Sequence, residues 1–177
     1  MKIKVKILMP GCMPSMIKKG DWVDLICAND VLLKAPQSGV LKDYIDAYGN
    51  TSKCRDVSFE IHNIPLGIAM QLPEGFEAII APRSSTPSKF GIICANSIGI
   101  IDGSYNGNND EWKFPAIPLR HTFIETGSRI CQFRIQLSQK ATLWQKLKWF
   151  FSRKIEFIEV NDLGNPSRGG FGSTGIK

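Results

Sequence analysis

Within the run Asn96-Ser97-Ile98-Gly99-Ile100-Ile101-Asp102-Gly103-Ser104-Tyr105, an acid, an amide and an aromatic ring fall close together. A rigidly presented carboxylate such as Asp102 can draw a proton from water. Ile98, Ile100 and Ile101 read as strand, Gly99 permits close backbone approach, and Asp102-Gly103 is a two-residue turn signal. The expectation is one acid on a tight hairpin. Asn96 carries both donor and acceptor, as the edge of a pyrimidine requires, and the backbone of Gly99, Ile100 and Ile101 can supply the remaining hydrogen bonds. Tyr105 offers a ring for stacking or for ordinary core packing. An Asp-Gly turn with no chemical role is the commoner alternative, so the run needs partners.

Two other stretches supply them. Pro82-Arg83-Ser84-Ser85-Thr86 joins a cation to consecutive hydroxyls. Arg83 can fork onto phosphate oxygens or pair with a carboxylate, while Ser84, Ser85 and nearby amides donate to further oxygens. At the other end stands Asn165-Pro166-Ser167-Arg168-Gly169-Gly170-Phe171-Gly172-Ser173-Thr174-Gly175. Its glycines let amides turn toward an anion, Arg168 adds charge, Ser173 and Thr174 add hydroxyls, and Phe171 offers a face for a base. It is not a Walker loop, because the Gly-Lys-Ser/Thr ending and following helix are missing. A disordered Gly-rich terminus is the alternative reading.

The elements that must hold these groups are mostly strands. Lys2, Lys4 and Lys6 alternate with Ile3, Val5 and Ile7, strand periodicity with one wet face or a protected edge. Further extended runs are expected at 21–25, 57–61, 64–72, 76–81, 111–119, 129–133 and 155–160. Pro115 and Pro118 suit an edge or a bend. Regular strands with Pro/Gly turns predict an all-β sandwich, barrel or jelly roll. Residues 36–56 interrupt the pattern as an insertion, where Leu41, Tyr44, Ile45 and Tyr48 fall at helical spacing and predict a short amphipathic helix. Leu143, Leu147, Phe150 and Phe151 mark a second helical insertion at 143–154, with lysines between them. It is expected to pack its apolar side on its own domain; a membrane surface or a partner groove is the alternative.

Composition narrows the class. The chain has 177 residues, 43% of them hydrophobic, which suits one domain over 1–177 with a single core. A net charge of +6 suggests an anionic partner. The basic residues are scattered without a reader motif, which argues against nucleic acid. No apolar run reaches the roughly 20 residues of a membrane span and the start lacks a signal-peptide core, so a cytoplasmic protein is expected. The five cysteines are widely spaced and apart from His62 and His121, which favours reduced, mostly buried thiols over a zinc site.

Taken together, the motifs resemble those of the trimeric dUTP pyrophosphatase (dUTPase) family, in family order over nearly the whole chain. Asp24-Leu25 matches the end of its first motif, with Asp21 and Trp22 where a small pair usually stands; residues 82–86 match the second and 96–105 the third. Gly127-Ser128-Arg129-Ile130-Cys131-Gln132 resembles the fourth, with Ser128 and Cys131 as departures, and the tail matches the fifth. The resemblance implies a jelly-roll fold, a homotrimer with sites between subunits, and hydrolysis of dUTP to dUMP and pyrophosphate with Mg2+. Asp102 would be the general base, Tyr105 would pack on the deoxyribose, and Asn96 with Gly99 to Ile101 would read uracil. Arg83 and Ser84 would serve the phosphates, Gln132 the water or phosphate, Arg129 the fold or trimer, and Asp24 a water-mediated magnesium environment. A mobile arm over 161–177 would close on the nucleotide, with Phe171 over the base, Arg168, Ser173 and Thr174 near the outer phosphates, and Gly172 among the substrate-binding residues. Two alternatives stand beside it: a dCTP deaminase of the same fold, with Glu111 as its acid, and a nucleotide-responsive protein that engages a protein partner through 36–56 or 143–154.

Overall fold

A computed structural model describes residues 1–16, 20–151 and 154–170. Strands β1 (Lys2–Ile7), β2 (Ser15–Met16), β3 (Val23–Ile26), β4 (Val31–Leu33), β5 (Gln37–Ile45), β6 (Thr51–Ser58), β7 (His62–Pro65), β8 (Ile68–Gln71) and β9 (Phe76–Pro82) precede helix α1 (Thr86–Phe90). Then come β10 (Ile92–Cys94), β11 (Gly99–Ile101), β12 (Lys113–Pro118), β13 (Thr122–Ile124), β14 (Arg129–Leu137), helix α2 (Leu143–Phe151) and β15 (Glu156–Glu159). The largest sheet runs β11-β9-β14-β3-β2, and two three-stranded sheets run β15-β1-β8 and β10-β12-β7. Their inner faces share one apolar cluster, giving a jelly-roll-like β architecture.

The alternating lysine strand behaves as its period demands: Ile3 and Val5 are fully buried while Lys2 and Lys4 are exposed. It is no edge, since β1 lies between β15, parallel, and β8, antiparallel. Phe133 on β14 knits the core, with its ring edge-on to Trp112 at 5.2 Å and 6.1 Å from Phe157. Burying each such ring stabilises the fold by about 1.5–3 kcal/mol. All five cysteines are free. Burial raises the pKa of Cys12, Cys27, Cys94 and, most strongly, Cys131, so these groups stay thiols near neutral pH.

Three local expectations are corrected. The 36–56 insertion contains no helix; β5 and β6 form a two-stranded ribbon whose residues are almost all exposed. Its turn explains the choice: the Asp46 carboxylate accepts the amides of Tyr48 and Asn50 and the Asn50 side chain, and Gly49 takes φ 83°. Helix α2 exists but does not bury the predicted face. Trp149, one turn after Gln145, packs on Phe76 at 5.4 Å, while Leu143, Trp144, Phe150 and Phe151 remain exposed. Finally, β12 is not an edge strand despite its prolines, for it lies between β10 and β7. Proline loses only a donor, and the Pro115 carbonyl still accepts the Ala95 amide at 2.8 Å. Among the described residues, no helix is long and apolar enough to cross a membrane.

Candidate active site

Asp102 follows directly on β11, which pairs antiparallel with β9 so that Gly99 faces Ile80 and Ile101 faces Ala78. The expected hairpin is therefore a sheet switch. The chain leaves β10, which belongs to another sheet, through a turn in which Ser97 takes φ 64°, and then joins β9. A left-handed serine is uncommon and marks a backbone shaped by its surroundings. Beyond the acid, the Tyr105 amide donates to the Asp102 carbonyl at 3.0 Å, closing the second turn.

A cleft of about 260 Å³ opens beside this run. It lies near the lower end of small-molecule sites, about 300 Å³. Asn96, Gly99, Ile100, Ile101, Asp102 and Tyr105 line it, as the sequence predicts, together with Arg168 and the following two glycines of the C-terminal arm. The Tyr105 hydroxyl donates to the Glu111 carbonyl at 2.9 Å, which fixes the ring, and burial raises its pKa. Gly170 crosses that ring so closely that a Cβ there would sit 3.2 Å from the hydroxyl. Arg168 Nη1 reaches Asp102 Oδ2 at 2.6 Å. Glu111, the acid a deaminase would need, has its Oε1 engaged by the Gly67 amide at 3.2 Å.

The remaining predicted residues form a second group. Asp24, inside β3, is only 3% exposed, and its two oxygens are held by Arg83 Nε at 2.9 Å and Arg129 Nη1 at 3.0 Å. Asp24, where the sequence places a water-mediated magnesium environment, thus anchors two arginines, one on each oxygen. Gln132 lies level with Asp24 on β3 and with Ala81 on β9. Ser84 and Ser85 are exposed at the start of α1, where Thr86 pins the turn by accepting the Arg83 amide and donating to the Ile130 carbonyl at 2.6 Å.

The two groups are separated along β9. Register puts Asp102 level with Glu77, whereas Arg83 stands just past the other end of the strand. Six strand residues span about 20 Å at about 3.3 Å each. One chain therefore does not bring Asp102 to Arg83, Ser84 and Gln132. Within the described residues, the arm as far as Gly170 lies against the cleft that holds Asp102 and Tyr105. Phe171, Gly172, Ser173 and Thr174 lie outside the described residues.

Several residues that matter here were not legible as such. Asp110, 1% exposed, accepts the amides of Gly107, Arg168 and Gly169. Asn108 bonds Asp162 and the Leu163 amide, and the Ser167 hydroxyl accepts the Asn109 amide. The sequence marks 106–110 only as a Gly/Asn-rich loop ending in an acid, a pattern suited to gathering amides. Its partners lie more than fifty residues away, beyond any local signal.

A β sandwich whose cleft combines a turn-mounted carboxylate, an amide-lined edge, an aromatic wall and a guanidinium defines a nucleotide-handling protein. The dUTPase family model matches residues 53–148. An SPbeta prophage-derived deoxyuridine 5'-triphosphate nucleotidohydrolase of Bacillus subtilis is 43% identical over 178 aligned residues, covering all of both chains. A deoxyuridine 5'-triphosphate nucleotidohydrolase of Hydrogenobaculum sp. is 34% identical, again over the full length of both. The chain belongs to the dUTPase family. Among solved structures, Streptococcus mutans dUTPase superposes with a TM-score of 0.53 at 21% identity, covering 73% of this chain and 88% of that one. A mutant dUTPase from phage phi11 of S. aureus, solved with a structural Mg(II) ion, gives 0.56 at 18% identity, covering 80% and 94%. At these identities the structures speak for the fold.

Proposed function

We propose that the protein hydrolyses dUTP to dUMP and pyrophosphate in a site assembled between copies of the chain. The observation that carries the reading is the cleft itself, where Asp102 stands at the mouth of an amide-lined pocket walled by Tyr105. Asn96 and the backbone of Gly99, Ile100 and Ile101 read the uracil edge, and a wrong base leaves buried polar groups unpaired. Tyr105, held by its hydroxyl, packs on the deoxyribose. Asp102 Oδ2 is engaged by Arg168, so Oδ1 takes the proton from water as its oxygen bonds the α-phosphorus. The bond from that phosphorus to the bridging oxygen breaks, and pyrophosphate leaves.

Arg83, Ser84, Ser85 and Gln132 meet the phosphates and water from a neighbouring copy, a reading that the separation along β9 supports. The family resemblance favours a homotrimer for that assembly, a closed cyclic arrangement. Arg168 and residues 171–174 cover the nucleotide and exclude bulk water. Among the described residues, no group of three or more acidic, histidine or cysteine side chains converges to hold a metal. That donor set fits Mg2+ carried on the triphosphate with its own waters, where it neutralises phosphate charge. Free, mostly buried thiols suit a cytoplasmic setting. The chain reads as one catalytic domain over 1–177, and the exposed faces of the β5–β6 ribbon and α2 are where a protein partner would dock.

Glu111 lines the same cleft, with Oε1 accepting the Gly67 amide, and the deaminase reading loses ground instead to the full-length relatives named as dUTP nucleotidohydrolases. Pyrophosphate release is the test, measured with dUTP, dTTP, dCTP and UTP in Mg2+. Release is expected from dUTP, with the other three at least about a hundredfold slower in kcat/KM, since sites that read polar edges discriminate strongly. Ammonia release from dCTP would favour the deaminase, and tight dUTP binding without turnover would favour a binding protein.

A further inference from the structure

The buried acid of the 106–110 loop has no task in the chemistry above. Asp110 is 1% exposed, and no arginine, lysine or histidine pairs with it among the described residues. Its carboxylate instead accepts only backbone amides. Gly107 donates to Oδ2 at 2.8 Å, Arg168 to both oxygens at 3.0 Å, and Gly169 to Oδ1 at 3.2 Å. Most of this satisfaction comes from the C-terminal arm. If the arm lifted, the carboxylate would lose three of its four amide bonds, keeping that from Gly107, and would exchange charge-assisted bonds for water.

Neighbouring contacts point the same way. The Ser167 hydroxyl accepts the Asn109 amide at 3.0 Å, and Asn108 binds Asp162 and Leu163 just upstream. Gly107 lies close under the arm, since a Cβ there would stand 2.6 Å from the Ser167 nitrogen. With its backbone fixed at Asp110, Arg168 reaches Asp102 and Gly170 lies across Tyr105.

We propose that Asp110 is a positioning residue, a latch that holds the C-terminal arm over the base pocket through the amides of Arg168 and Gly169 and so sets how readily the pocket closes on nucleotide. The latch acts through Arg168 and the glycines after it and touches no reacting atom. This inference rests on the dUTP reading for its kinetic consequences, although the docking itself does not. Aspartate suits the role because it offers two charged acceptors to converging amides. Asparagine has the same shape but one acceptor, and its amino group would face donors.

Arg168 and Gly169 are exposed, but docking fixes both of their amides on Asp110, and trypsin cuts a segment it can pull into extended form, so limited trypsinolysis of the full-length protein reads the latch directly. In Asp110→Asn, loss of residues 169–177 is expected to quicken at least tenfold while cleavage elsewhere and the thermal midpoint change little. KM for dUTP should rise about tenfold, with a smaller fall in kcat. A second variant, Gly107→Ala, presses on Ser167 from the loop and leaves Asp110 intact; it should expose the same bond and guards against a folding defect in the first. Unchanged cleavage after Arg168 in folded Asp110→Asn, or in folded Gly107→Ala, would overturn the latch. Absence of dUTP turnover in the parent protein would instead remove the enzymatic reading and leave the proteolysis result standing.

Discussion

Asp102→Asn is expected to lower kcat for dUTP by about 10²- to 10⁴-fold, the range a positioned general base supplies, while nucleotide binding survives. The separation of effects follows from the geometry. Asp102 makes one ion pair, to Arg168, and the two side chains are 55% and 37% exposed. Pairs in such contact with solvent contribute about 0–1 kcal/mol, so losing this one shifts KM by no more than about fivefold. The backbone that reads the base runs through β11, whose pairing with β9 does not depend on the carboxylate. A steady-state comparison of kcat and KM checks the prediction, with equilibrium binding of a non-hydrolysable dUTP analogue beside it. Near-normal kcat would take the base role away from Asp102.

Asp24→Ala is expected to cost stability as well as rate. Its carboxylate is nearly fully buried and anchors Arg83 and Arg129 together. Removing one member of a buried pair leaves uncompensated charge and costs about 3–5 kcal/mol. Arg129 is half exposed and can turn to water, which favours the lower end, about 3 kcal/mol. For a chain of this length that is a fall of about 6–12 °C in the thermal midpoint. Loss of the anchor also frees Arg83 and the adjoining Ser84, so kcat/KM should fall by about tenfold or more, as it does when a phosphate-positioning group loses its orientation. The Mg2+ concentration giving half-maximal rate is expected to stay the same, because Asp24 acts through the arginines. A large rise in that concentration, with stability intact, would return Asp24 to the metal.

How far the sequence led differs from element to element. Residues 2–7 disclosed their strand and its buried face because one side is wet and the other dry. The β5–β6 ribbon did not, since neither of its faces is buried and its apolar residues lack a period of two; their chance helical spacing misled. For α2 the period was right and the buried side was wrong. The broad stripe of Leu143, Leu147, Phe150 and Phe151 outweighs Trp149 in any sequence reading, yet Trp149 is the side chain that meets Phe76. Residues 96–105 were legible because chemistry and backbone lie together in one run. Asp24 with Arg129, or Asp110 with Arg168, needs the chain to return across long separations. The first pairing is set by the β3–β14 register and the second by where the arm meets a loop, and no local pattern encodes either.

In the proposed mechanism, Asp102 from one chain works with Arg83, Ser84 and Gln132 of another. Mixed oligomers test it most directly. Asp102→Asn and Arg83→Ala chains, each nearly inactive alone, are unfolded together, refolded at equal amounts and assayed for pyrophosphate release from dUTP. If the site lies between copies, a random mixture pairs an intact Asp102 with an intact Arg83 at about one interface in four, so about a quarter of the parent activity should return. Activity that stays at the level of the separate mutants, in mixed oligomers shown to have formed, would mean that each site is built within a single chain and would contradict the account.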